Sequence, residues 1–287
     1  MKGIRKIDIH AHAVWDRAKT PLKKWVDGDQ LVEIYDSLGI ERGLLLPIIY
    51  LDGMVDPISN EDVAELCRAH PDRFSRFCCV DPEDSKALKK LERYKLEGAV
   101  GLGELTTSKY FDSPEIDRLL SAAEELSLPV LFHISPAIGG GYGVVDDEGL
   151  PRLEKMLKKH RDLIFVGHSQ PFWYEISSEN EGGRRGYPAG KVKEGRLASL
   201  LREYENLCCD LSAKSGSWAM MRDREYASRF LAEFSDRVML GCDICLPGVT
   251  YPFEFSDFLS DMVATGELSV ESYERICAQN AKKFFRI

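Results

Sequence analysis

Eight short apolar runs, spread along the chain and separated by amphipathic stretches, constrain this sequence more than any other feature. They are KIDIHA (6–11), RGLLLPII (42–49), RFSRFCCV (73–80), GAVGLGEL (98–105), PVLFHIS (129–135), LIFVGHS (163–169), NLCCDLS (206–212) and RVMLGCDI (237–244). Strands buried on both faces of a parallel sheet have this near-continuous apolar character. The intervening stretches repeat at helical spacing. QLVEIYDSL puts Leu31, Ile34, Tyr35 and Leu38 on one face. SPEIDRLLSAAEEL does the same with Ile116, Leu119, Leu120, Ala123 and Leu126, behind Ser113 as N-cap and Pro114 in the first turn. LPRLEKMLKKH follows suit with Leu153, Met156 and Leu157, and SVESYERICAQNAKKFF closes the chain as a final helix. Strand–helix alternation implies a parallel sheet, and eight units suit a (β/α)8 TIM barrel better than a doubly wound sheet. Residues 1–287 are expected to form one barrel domain. The third run carries charges and is the one that could lie at a sheet edge.

Where the histidines fall points to chemistry. Four of the six end predicted strands: His10 and His12 on the first, His133 on the fifth, His168 on the sixth. In a barrel those ends share one rim, and active sites are built there. Buried imidazoles need partners, so packing alone does not explain the gathering. His70 and His160 are expected at helix C-termini, where the dipole favours an imidazolium. Glu104 and Asp243 end the fourth and eighth runs after apolar or Gly residues. A buried carboxylate is costly without a cation nearby.

His10, His12, Glu104, His133, His168 and Asp243 thus form a candidate ligand set. Nitrogen and carboxylate donors without thiolate suit a divalent metal, Zn first, with Mn, Fe or Ni also compatible. Six ligands can serve one or two ions, and Glu104 is placed to bridge them. Such a centre activates water and polarises a carbonyl or phosphoryl oxygen. Asp243 is then the candidate general base, with His168 next in line. Strand parity puts Asp8, His10 and His12 on one face, and pairs Leu102 with Glu104, Leu131 with His133 and Val166 with His168. Asp8 is assigned a supporting role below the metals.

Composition narrows the partners. Hydrophobic residues make up 44%, charged residues 30%, and the net charge is −9, which fits a soluble globular chain and disfavours nucleic acid, anionic lipid and, at long range, anionic substrates. No run of eighteen apolar residues occurs, so no membrane span is expected. The site begins at residue 8 or 10, which leaves no room for a cleavable signal peptide. The eight Cys include the adjacent pairs Cys78–Cys79 and Cys208–Cys209. Cys242 and Cys245 flank Asp243 in a CxxC, but no second pair matches it. The thiols read as reduced, in a cytoplasmic protein.

DIHAH (8–12), HIS (133–135), GHS (167–169), GCDI (241–244) and NAKKFF (280–285) together resemble the amidohydrolase superfamily, and within it the amidohydrolase family 2 branch. The resemblance implies that His10, His12 and Asp243 bind a first metal and His133 and His168 a second. Many members bridge the two with a carboxylated Lys on strand four; here Glu104 holds that slot, and GLGELT is similar to the strand-four Glu motif of TatD-like hydrolases. The decarboxylases of the family 2 branch use one metal, on residues of the His10, His12, His133 and Asp243 type, and keep the His168 type as acid/base.

The stretch QPFWYEISSENEGGRRGYPAGKVKEG (170–195) interrupts the helix expected after strand six, as functional loops often do. It offers Trp173, Arg184 and Arg185 to a substrate, with Tyr174 and Tyr187 beside them. Trp15 after strand one, and Ser212, Lys214 and Trp218 after strand seven, are further candidates for the pocket wall. PAIGGGYG (136–143) lacks the strand-to-helix GxGxxG layout of a phosphate loop.

Three functions follow. The first is a hydrolase that opens an amide, lactone or ester of a small polar metabolite with a metal-activated hydroxide. The second is a single-metal non-oxidative decarboxylase, and the third a non-catalytic barrel with a binding role. A homo-oligomer is compatible with each.

Overall fold

The computed structural model describes residues 4–20, 24–49, 57–139 and 141–287. Eight parallel strands overlap the eight apolar runs. They are β1 (Lys6–Ala11), β2 (Ile40–Leu45), β3 (Phe74–Arg76), β4 (Leu102–Leu105), β5 (Val130–Ser135), β6 (Phe165–His168), β7 (Leu207–Asp210) and β8 (Val238–Met239). β1 to β3 pair in order, as do β4 to β8. Backbone hydrogen bonds join the two sheets at both seams. Between β3 and β4, Val100 N donates to Arg76 O, Cys78 N to Gly101 O and Gly103 N to Cys78 O, all at 2.8–2.9 Å. Between β8 and β1, Ile9 N donates to Leu240 O (3.1 Å), Asp243 N to His10 O (2.7 Å) and His12 N to Ile244 O (2.9 Å). The result is a (β/α)8 barrel. A two-residue strand, Val144–Val145, pairs beside the end of β5.

The charged third run is therefore paired on both sides. Its arginines are taken up locally: Arg73 donates to Ile40 O and Glu41 O, and Arg76 to Glu97 O.

Helices α1 (Gly28–Leu38), α2 (Asn60–Ala69), α3 (Ala87–Leu96), α4 (Pro114–Glu125) and α5 (Pro151–Lys159) follow the first five strands. After β6 come the short α6 (Gln170–Tyr174), the long loop and α7 (Arg196–Glu203). α8 (Ala213–Met221) and α9 (Arg224–Glu233) follow β7; α10 (Tyr251–Ala264), α11 (Val270–Glu274) and α12 (Asn280–Phe285) follow β8. The helix boundaries have local causes. Asp27 and Gln30 cap α1 reciprocally, side chain to backbone N–H, and Gly39 ends it at φ +69°. His70 and His160 are the residues that follow α2 and α5. No described helix is long and apolar enough to cross a membrane.

Six strands and Phe77, the residue after β3, send apolar side chains into one interior cluster: Ile7 and Ile9, Leu44, Phe77, Leu131, Val166, Cys208 and Met239. Ala278, Ala281 and Phe285 of the closing segment join it and plug one end. Asn280 Nδ2 pins that plug by donating to Ser235 O and Val238 O. With this end filled, the strand C-termini are left to form the open mouth.

Candidate metal centre

Strict alternation holds for β5 and β6, where Leu131 and His133, and Val166 and His168, share the interior face. It fails on β1 and β4. Ile7 and Ile9 face the interior while Ala11 packs outside with Leu31, Tyr35 and Leu45, and the β1–β2 register shifts between Asp8 and Ala11. A bulge of this kind re-aims side chains. It sends both His10 and His12 inward and leaves Asp8 on the outer face. On β4, Leu102 and Leu105 both join the outer core, the register shifts between them, and Glu104 turns inward. Gly103 sits at φ +145°, where a Cβ would press on Leu131 O.

Asp8 thus supports the site from outside. Its Oδ1 accepts the amides of His10 (2.9 Å) and Cys242 (2.8 Å), and its Oδ2 accepts the Tyr35 hydroxyl (2.6 Å). Burial pushes its carboxyl up to about 7, although these hydrogen bonds work the other way.

The six expected side chains meet at the mouth. His10 Nε2 and His12 Nε2 are 3.0 Å apart. Asp243 Oδ1 is 3.7 and 3.5 Å from them, and Glu104 Oε2 is 3.7 and 3.4 Å from them. The other Glu104 oxygen lies 2.7 Å from His133 Nδ1. Potential ligand atoms fall into three overlapping groups, each spanning no more than 4.8 Å: His10–His168–Asp243, His10–His12–Glu104 and Glu104–His133–His168.

These donors suit a divalent cation. His12 Nδ1 faces the Leu46 carbonyl at 2.9 Å and His10 Nδ1 faces Asp210 Oδ2 at 2.7 Å, so both Nδ1 atoms donate. Both Nε2 atoms then aim lone pairs at one spot. Ligand atoms about 2.0–2.2 Å from a metal lie roughly 3.0–3.5 Å from each other, close to the 3.0–3.7 Å found between these atoms. The surrounding carboxylates make this a spot that favours positive charge, which either a proton on His10 or a cation against its Nε2 would supply. Burial disfavours an imidazolium at His10, but the Asp243 and Asp210 carboxylates override it and hold the ring well above its ordinary value. Burial likewise opposes ionisation of Glu104, and the three surrounding imidazoles bring its carboxyl well below the usual range. His133, under the same burial, is pushed down.

The family model described as Amidohydrolase, amidohydrolase family 2, matches residues 7–287. The chain belongs to amidohydrolase family 2. Solved structures share its fold over nearly the whole length. A probable 2-pyrone-4,6-dicarboxylic acid hydrolase from Acinetobacter baumannii is 15% identical, with a TM-score of 0.60 over 99% of this chain and 100% of that one. A 5-carboxyvanillate decarboxylase from Novosphingobium aromaticivorans, complexed with manganese, is 18% identical, with a TM-score of 0.64 over 99% and 97%. An amidohydrolase from Burkholderia multivorans with bound zinc is 14% identical, with a TM-score of 0.64 over 99% and 99%. At these identities the likeness is one of fold. No curated protein sequence matches the chain.

In this family 2 amidohydrolase the site holds a carboxylate that the sequence reading passed over. Asp210, fully buried at the end of β7, accepts from His10 Nδ1 and from Ser212 Oγ (2.7 Å), and lies 3.2 Å from His168 Nδ1. Ser212 Oγ also lies 2.9 Å from His168 Nδ1. Burial opposes ionisation of Asp210, but the His10 charge and both imidazole contacts hold its carboxyl well below the usual range. NLCCD carries the same signal as GLGEL and MLGCD, an acid at the end of an apolar run.

The candidate substrate residues separate. Trp173 is buried and its indole N–H donates to Asp210 O (3.0 Å). Arg184 turns inward, donating to Asp146 O (2.8 Å) and Asp147 O (3.2 Å) beside Glu175. Arg185 is exposed, as is Trp15.

Proposed function

We propose that the chain is a metal-dependent hydrolase that opens an amide, lactone or ester bond of a small polar metabolite. One observation carries this reading. Glu104 reaches two neighbouring donor groups at once, with Oε2 beside His10 and His12 and Oε1 on His133. That arrangement suits two ions, with zinc or manganese favoured by the His and carboxylate donors. When bound, such ions supply Lewis acidity and lower the pKa of water.

The protein's part is proton management. The Asp243 side chain is 23% exposed, the most open of the six donors. Its backbone sits at φ +52°, held by Asp243 N donating to His10 O and by the Tyr251 hydroxyl donating to Asp243 O (2.7 Å). From there Asp243 takes the proton of the attacking water and returns it to the departing nitrogen or oxygen as the bond to the carbonyl carbon breaks. His168, steadied at Nδ1 by Ser212 and Asp210, is the second proton carrier.

The second reading is non-oxidative decarboxylation with one metal. It is supported by the shared fold of the manganese-bound 5-carboxyvanillate decarboxylase. There His168 would deliver a proton to the carbon that loses carbon dioxide. Metal stoichiometry separates the two. Two equivalents per wild-type chain, falling to one in Glu104→Ala, support hydrolysis. One equivalent in both proteins overturns it in favour of decarboxylation.

A further inference from the structure

We propose that Arg42, Arg68 and Arg76 form a phosphate site on the flank of the barrel, between α2 and the end of α3, for a phosphorylated small molecule or free phosphate. The site shares no residue with the metal centre and does not depend on how that centre is read.

Arg76, at the end of β3, is where the need for an anion shows. The residue is 5% exposed, and its Nη2 donates to Glu97 O at 3.0 Å. Its Nη1 is buried and has no hydrogen-bond partner among the described residues. A buried guanidinium with an unused donor is costly. Bound water could meet the donor but would not balance the charge.

Arg76 lines a cavity of about 570 Å³ together with Arg42 of β2 and Arg68 in the last turn of α2. Small-molecule sites commonly measure about 300–1,000 Å³. The three arginines grade from buried Arg76 through half-buried Arg42 to exposed Arg68, so the cationic wall runs from the interior to the surface. The acid on that wall is Glu97, whose carboxylate lies 3.5 Å from both Arg76 Nη2 and Arg93 Nε.

The other two arginines also keep donors in reserve. Arg42 Nη1 donates to Pro71 O, Phe74 O and Ser75 Oγ at 3.0–3.3 Å, which fixes its fork. Its Nε and Nη2 have no partner among the described residues, and neither has Arg42 an ion pair there. Arg68 holds Glu65 through Nε and Nη2, leaving Nη1. Ser75, also on the wall, accepts from Arg42 and keeps its hydroxyl proton for a ligand. Cys67 between them stays neutral. Burial pushes its thiol up to about 11, although the Arg76, Arg42 and Arg68 guanidiniums all work the other way. One sulfur that feels three cations places them around a common space.

The number and direction of the forks select the ligand. One guanidinium suffices for a carboxylate, whose two oxygens lie in a plane. Three that approach from two strands and a helix suit a tetrahedral anion with oxygens on several sides. In a chain of net charge −9, such a local cluster is what lets an anion settle.

The test titrates the full-length protein with glycerol 3-phosphate, inorganic phosphate and glycerate, a carboxylate of similar size, by calorimetry. A phosphate ligand is expected at one per chain, about tenfold or more tighter than glycerate, the gain of one charge-assisted contact. Arg42→Met and Arg68→Met should each weaken it about tenfold or more and leave metal content unchanged. Arg68 is exposed, so its variant keeps the fold even where Arg42→Met does not. Lys89→Met, an exposed cation of α3 outside the cavity, should bind as wild type does. Tighter binding of the ester supports the site with a phosphorylated metabolite as occupant, and tighter binding of inorganic phosphate supports it with free phosphate. No phosphate binding, equal binding of glycerate, or undiminished affinity in both arginine variants overturns it. So does an equal loss in Lys89→Met, which would reflect only the general field of the surface.

Discussion

The Nδ1 of His10 lies 2.7 Å from Oδ2 of Asp210, a carboxylate two hundred positions further along the chain. That contact joins the first and seventh strands at the metal centre and fixes which imidazole nitrogen faces the ion. Partners of this kind typically change metal affinity 10–100-fold. Asp210→Ala should weaken Mn²⁺ or Zn²⁺ binding by about 10–100-fold, with near-native far-UV circular dichroism. Competition against a chromophoric chelator measures it. An unchanged dissociation constant would mean the contact orients nothing.

Arg184 ties the long loop to the barrel through two carbonyls and the buried Glu175. Arg184→Ala should cost about 1–3 kcal/mol, the usual penalty for lost charge-assisted bonds. It should also speed tryptic cleavage near Arg185 and Lys191. Urea denaturation and timed proteolysis read the two effects, and a variant as stable and resistant as wild type would detach Arg184 from loop anchoring.

Asp146 gives a pH signature away from the ligands. It is fully buried, its oxygens accept the amides of Arg152 and Leu153 at the start of α5, and burial raises its carboxyl from 3.8 to about 6. The folded state therefore binds this proton more tightly than the unfolded state. Its contribution is fully present below about pH 4 and is lost as pH rises to about 6, by at most about 3 kcal/mol. Unfolding of wild type and Asp146→Asn at pH 4, 5 and 6 should show the advantage of wild type shrinking as pH rises. A constant difference would refute the shift.

Much of this was legible in the sequence, for identifiable reasons. The eight strands announced themselves because parallel barrel strands are buried on both faces. His133 and His168 were placed by simple alternation. His10, His12 and Glu104 were named for the right rim, but the parity argument behind them broke at two bulges that leave no mark in an apolar pattern. Asp8 consequently supports the backbone from outside instead of sitting beneath the ions. Asp210 went unread although NLCCD ends an apolar run in an acid just as GLGEL and MLGCD do; its imidazole partners arrive only when the barrel closes. Arg184 and Arg185 are adjacent and chemically identical, and only the fold shows that one is tied down and the other left exposed.

The most direct test of the central claim is anomalous diffraction from crystals grown with Mn²⁺ or Zn²⁺. The account predicts a strong peak at the point shared by His10 Nε2, His12 Nε2 and Asp243 Oδ1, lost in the His10→Ala, His12→Ala double variant. A fully loaded crystal with its ion elsewhere, or none between those three atoms, would contradict it.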